Sequence, residues 1–182
     1  MECIIGEVMR FDVQQAAEIL RQTPYTLQRM LSDLSPDWTQ LGGSPEDWSP
    51  YDVIGHLMHG EETDWIPRAE IILAQGTDRI FTPYDRLAQF ERSKNRSLDD
   101  LLTEFARLRS VNLETLIRWQ LTPDQLLLKG MHPELGEVTL EQLLSTWVVH
   151  DLNHIRQIVT FMAERYAENV GPWKQDLSIL DN

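Results

Sequence analysis

The sequence predicts an all-α protein, a four-helix bundle with a long crossover between its second and third helices. Three observations predict it: apolar residues recur at helical spacing in four separate stretches, capping signatures open those stretches, and no segment shows the alternation of a half-buried strand. With 182 residues, 42% of them hydrophobic, the chain can bury a core without disulfides, and one domain over 1–182 is expected.

The first helix is expected over residues 12 to 34, where Val13, Ala16, Ala17, Leu20, Leu27, Met30, Leu31 and Leu34 follow a helical period behind Asp12 as N-cap. Pro24 should kink or split it. Pro36, Gly42, Gly43 and Pro45 mark a loop. Ser49-Pro50 opens a second helix, an N-cap hydroxyl followed by proline at the first helical position, with Asp52 near the positive end of the dipole. That helix should reach about Ile66 before Pro67 kinks it. Gly76 to Arg96, mostly polar with Pro83, reads as a partly helical crossover. Ser97 caps a third helix whose buried side carries Leu98, Leu101, Leu102, Phe105, Leu108, Leu113, Leu116 and Trp119. Pro123, Gly130, Pro133 and Gly136 mark a loop, and Thr139-Leu-Glu-Gln142 has the form of a capping box. The fourth helix it starts has no stop signal before Gly171-Pro172.

A formal net charge of -13 repels phosphate backbones and anionic headgroups, which argues against nucleic-acid or membrane partners. No apolar run approaches the roughly 18 residues of a membrane span, and the N-terminus lacks the pattern of a signal peptide. Cys3 is the only cysteine, so no intramolecular disulfide forms and a cytoplasmic protein is expected. A homodimer is compatible with the pattern, since exposed apolar faces on bundles often pair.

His150 and His154 stand four residues apart in the fourth helix. At 3.6 residues per turn they differ by about 40° around the axis, so both imidazoles can reach one metal ion. In a bundle the third ligand should come from another helix. The second helix offers His56, with His59 one turn on as the reserve, while His132 lies in the Gly/Pro-rich loop. His56, His150 and His154 would leave a coordination position open, as in catalytic rather than closed structural sites.

The chain resembles the DinB-like superfamily of four-helix bundles, in which helix two carries a histidine within Trp-Ser-x-x-x-x-x-x-His-Leu and helix four carries His-x-x-x-His. Here Trp48-Ser49, His56-Leu57 and Glu61 stand in matching places, followed by His132-Pro-Glu-Leu-Gly136, Val138-Thr139, His150-Asp-Leu-Asn-His154 and Gln157. The resemblance covers about 49–158. It implies a divalent metal, zinc or nickel before manganese or iron, held by His56, His150 and His154. It also implies a choice of activities, since family members include thiol-dependent S-transferases, suspected hydrolases and proteins with no known reaction.

Three neutral imidazoles leave the ion its full charge, which acidifies a bound water or a bound low-molecular-weight thiol. A small-molecule substrate is expected, with S-transfer ahead of hydrolysis on the resemblance; a non-catalytic binding module or dimeric scaffold of the same fold is the alternative. Thr146, Asn153 and Gln157 share the broad face of the His pair and are candidates to line a pocket or orient ligands. Asp151 follows the first histidine as the general base does in His-Glu-x-x-His proteases, but its side chain is shorter and no third ligand lies downstream. Glu61 and Asp64 are further acid-base candidates, weighed against a solvated helix edge. Trp48, Trp65, Trp119 and Trp147 read as packing.

Overall fold

The computed structural model describes residues 10–40 and 48–181. Cys3, Gly42, Gly43 and Pro45 lie outside them. The elements are α1 (Val13–Leu31), α2 (Pro36–Thr39), α3 (Pro50–Thr63), α4 (Trp65–Gln75), α5 (Ala88–Ser93), α6 (Leu98–Arg118), α7 (Pro123–Leu126), β1 (Lys129–His132), β2 (Gly136–Thr139) and α8 (Leu140–Glu164). The four-helix bundle consists of α1, α3 with α4, α6 and α8. Around it, α6 lies between α1 and α3, and α8 closes the ring against α1, α3 and α4.

The helices start where their caps predict. Asp12 accepts from the Gln15 amide at 2.9 Å, and reciprocal capping boxes form at Ser49/Asp52, Ser97/Asp100 and Thr139/Gln142. Asp52 is therefore a capping residue, bonded to the Ser49 amide at 3.0 Å.

Pro24 does not split the first helix, and the break in the second falls one turn before Pro67. Pro24 sits inside one continuous α1. Proline has no N–H for the carbonyl four residues back, that of Leu20, and Arg109 Nη1 donates to this carbonyl at 2.7 Å instead. At the second helix the interruption falls at Asp64, between α3 and α4, rather than at Pro67. A proline ring clashes with the carbonyl four residues upstream, here that of Thr63, so the axis breaks one turn before the proline.

Two further differences concern the last loop and the last helix. The stretch read as loop contains a two-stranded antiparallel hairpin, with Lys129 opposite Thr139 and His132 opposite Gly136. Strands of four residues are too short to show a period of two. Gly130 lets the crossover approach, since a Cβ there would lie 2.6 Å from Ile72 and 2.7 Å from Phe81. The last helix, α8, ends at Glu164 rather than near Gly171, and 3₁₀ turns follow at Gly171–Asp176 and Ser178–Leu180.

Apolar residues form two cores stacked along the bundle. One joins Leu20, Trp65, Ile66, Leu113, Leu116, Leu144 and Trp147; the other joins Leu27, Leu31, Ile54, Leu57, Leu101, Phe105 and Ile158. Each bundle helix passes from one core to the other. At the crossing level lie Thr23 and Pro24 on α1, Glu61 on α3, Arg109 on α6, and Asp151 and His154 on α8, all buried. This polar layer holds the chemistry. Among the described residues, no helix is long and apolar enough to cross a membrane.

Candidate metal centre

His56 projects from α3, and His150 and His154 from successive turns of α8. His56 Nε2 lies 3.0 Å from His150 Nε2, which lies 3.1 Å from His154 Nε2. Among the described residues these are the histidine, cysteine and carboxylate side chains grouped closely enough to hold a metal ion, with one ligand atom from each within 4.8 Å of the others. Trp48 walls the group, its ring stacked at 14° to His154 and 4.9 Å from His56. Trp65 meets His150 edge-on at 5.1 Å.

Proton inventory shows why these rings suit a cation. Gln157 Oε1 is 2.8 Å from His154 Nδ1; a carbonyl oxygen only accepts, so the proton of neutral His154 sits on Nδ1 and Nε2 presents a lone pair. His150 Nε2 carries either one proton or one lone pair, yet it faces two ring nitrogens. At most one of the two contacts is a full hydrogen bond. A divalent cation receiving all three lone pairs satisfies both together, and tetrahedral zinc at about 2.0 to 2.1 Å needs ring nitrogens only slightly further apart.

Burial favours the neutral ligand forms. It pushes His56 down to about 3 and His150 down to about 2, with the neighbouring His154 adding to each, and it lowers His154 as well. The rings are neutral at physiological pH, the state that binds metal.

The other expected residues divide. Asn153 and Gln157 line a cleft of about 310 Å³ with Trp48, Arg156, Thr160, Phe161 and Glu164. Thr146 is exposed and donates to the Gln142 carbonyl at 2.7 Å. His59 is buried against the Tyr84 ring at 5.1 Å, with Nδ1 3.9 Å from Glu62. His132 braces the hairpin turn, its Nδ1 accepting from the Glu134 and Leu135 amides at 3.1 and 3.2 Å.

The acid candidates are all paired. Arg109 donates to Asp151 through Nη1 at 2.6 Å and Nη2 at 2.9 Å, and through Nη2 to Glu61 at 2.9 Å. Glu61 also accepts from Trp147 Nε1 at 3.0 Å and Asn112 Nδ2 at 2.9 Å. Burial raises the Glu61 carboxyl, while the Arg109 guanidinium opposes that shift. Burial would lower Arg109, but the Glu61 and Asp151 carboxylates outweigh it and raise it. Asp64, pushed up to about 6 by burial against the pull of Arg68, bonds that arginine at 2.9 Å.

Sequence reasoning missed Arg109, Tyr84 and Gln89. Arg109 had a signal, since it stands four residues after Phe105 and four before Leu113 on the buried face of α6. Tyr84 and Gln89 reach His56 from the crossover, at 2.8 and 3.1 Å from its Nδ1. No local pattern announces such contacts.

Fold and site together define a four-helix bundle with a three-histidine centre suited to a divalent cation. The chain belongs to the DinB superfamily, whose profile matches residues 19–158. Among solved structures it is similar to YfiT from Bacillus subtilis, described as a probable metal-dependent hydrolase with an unusual four-helix bundle topology. Identity is 22%, the match covers 90% of this chain and 93% of that one, and the TM-score is 0.74. That likeness establishes the fold. No curated protein matches the chain.

Proposed function

We propose that the protein is a metal-dependent enzyme in which His56, His150 and His154 hold one divalent ion, zinc or nickel, through Nε2, and that it transfers a low-molecular-weight thiol onto a small electrophile. The observation that carries the metal reading is the convergence of three Nε2 atoms, two contacts of 3.0 and 3.1 Å sharing one nitrogen. When bound, the ion supplies Lewis acidity that favours the thiolate form of a coordinated thiol. Neutral imidazoles leave the ion's charge undiminished, and Trp48 shields one side from water. The cleft beside Trp48, with Asn153, Gln157 and Arg156, is the route for the small molecules.

Thiol transfer is preferred because of how protons are handled. Among the described residues, Glu61 and Asp151 are held by Arg109, and Asp64 by Arg68. In thiol transfer the S–H proton passes to solvent water, the thiolate sulfur bonds to the electrophilic carbon, and the bond from that carbon to the leaving group breaks, the group departing with the electron pair as an anion. Amide hydrolysis also requires a donor for the leaving nitrogen. Hydrolysis is the second reading, favoured by the description of the Bacillus subtilis relative.

Cobalt substitution tests the preference. Titrating glutathione, cysteine and other cellular thiols into the cobalt protein should produce a sulfur-to-metal charge-transfer band. No band with any thiol, together with ester or amide turnover that chelation abolishes and metal restores, would replace transfer by hydrolysis. Neither signal in a metal-loaded protein would leave a binding module.

A further inference from the structure

We propose that Gln89, on the crossover helix α5, is a positioning residue that keeps the His56 proton on Nδ1 and so aims the Nε2 lone pair into the centre, in competition with Tyr84 for the same ring nitrogen. The proposal rests on the metal reading above, and nothing in the family match assigns a role to either residue.

His56 Nδ1 has two neighbours, Gln89 Oε1 at 3.1 Å and the Tyr84 hydroxyl at 2.8 Å. They differ in what they permit. The Gln89 carbonyl only accepts, so it requires a proton on Nδ1. A phenol both donates and accepts, so Tyr84 is compatible with either tautomer. If Tyr84 alone faced the ring, its O–H could donate to Nδ1. The imidazole proton would then sit on Nε2, where it blocks a metal. By contrast, Gln157 is the hydrogen-bond partner on His154 Nδ1, so that ring has no such rival among the described residues.

The fold holds Gln89 in place. Its side chain is buried, 1% exposed, and α5 is seated tightly on α3. A Cβ on Gly55, one residue before His56, would overlap the Ser93 hydroxyl. The Tyr51 hydroxyl also donates to the Ser93 carbonyl at 2.5 Å, tying the end of α5 to the start of α3. The Gln89 amide nitrogen and the Ser93 hydroxyl are both buried without hydrogen-bond partners, and residues four apart share one side of a helix. The amide oxygen is the atom turned to the ring, 3.1 Å from His56 Nδ1. Outer contacts of this kind are worth about 10- to 100-fold in metal affinity.

Nitrogen-15 NMR of the imidazoles in metal-free protein at neutral pH, paired with zinc titrations, tests the idea. Wild-type His56 should carry its proton on Nδ1. Gln89→Leu should move it to Nε2 and weaken zinc binding by about 10- to 100-fold. Gln89→Glu, which keeps the acceptor, should retain both tautomer and affinity. Adding Tyr84→Phe to Gln89→Leu removes the competing donor and should recover part of the affinity. Wild-type His56 protonated on Nε2 overturns the proposal outright, even if Gln89→Leu fails to fold. So does Gln89→Leu protein that keeps the Nδ1 proton and wild-type zinc affinity. The two readings fail separately: a wild-type protein with the expected tautomer that binds no zinc, nickel, manganese or iron defeats the metal reading alone. Full zinc binding through three histidines in Gln89→Leu defeats only the role of Gln89.

Discussion

Two polar clusters share the layer between the apolar cores, and they solve burial in opposite ways. Around Arg109 on α6, a buried cation is matched by Glu61 and Asp151, with bonds to the other three bundle helices counting the Leu20 carbonyl on α1. Around His150, three bases, His154 buried and His56 and His150 half-buried, face one another with no acid between them. The first is closed by the protein's own charges. The second has no charged partner among the described residues and is arranged to accept a cation from outside, which is what would separate a functional cluster from a structural one.

The difference is sharpest in the response to losing one member. Arg109→Met leaves two carboxylates buried without their cation, and should cost about 3 to 5 kcal/mol in urea unfolding. A loss under 1 kcal/mol would mean that the Arg109 network is not the girder described. His150→Ala removes a neutral ring, so metal-free stability should change little while zinc affinity falls by at least about 100-fold, near 2.7 kcal/mol. Equal stability losses in the two variants would erase the distinction.

Acid should find the histidine cluster. The folded-state values of His56 and His150, about 3 and about 2, lie below the ordinary 6.5. Below pH 6.5 the unfolded chain therefore binds protons that the folded chain refuses. Their stabilising contribution is intact above pH 6.5 and declines as pH falls toward 3. At pH 5 the loss is up to about 2 kcal/mol for each ring. Thermal unfolding of metal-free protein between pH 7 and pH 5 measures it, and the double variant His56→Ala/His150→Ala should flatten the curve. An unchanged slope would place the acid sensitivity elsewhere. The smallest effect is expected at Pro24. Pro24→Ala restores an N–H that competes with Arg109 for the Leu20 carbonyl, and should shift stability by less than about 1 kcal/mol. A gain well above that would show that the proline strains α1 for no compensating contact.

The same contrast explains what could be read from the chain. Imidazoles four residues apart, and serine or threonine caps with their partners three residues on, are local patterns, so the bundle and the meeting of His56 with His150 and His154 were legible. Arg109 was harder because a charged residue reads as solvated even where its spacing from Phe105 and Leu113 says otherwise. Glu61 and Asp151 then looked like candidate acids because the cation that holds them was not seen. Pro24 looked like a helix breaker for the same reason. Gln89 and Tyr84 come from a crossover whose path depends on Gly55, Tyr51 and the short hairpin, and none of these leaves a periodic trace.

Anomalous diffraction from crystals grown with zinc or nickel tests the central claim most directly. One peak should appear with His56, His150 and His154 Nε2 at about 2.0 to 2.2 Å and a fourth position open to solvent or thiol. A peak elsewhere, coordination through Nδ1, or no peak at saturating metal would contradict the account.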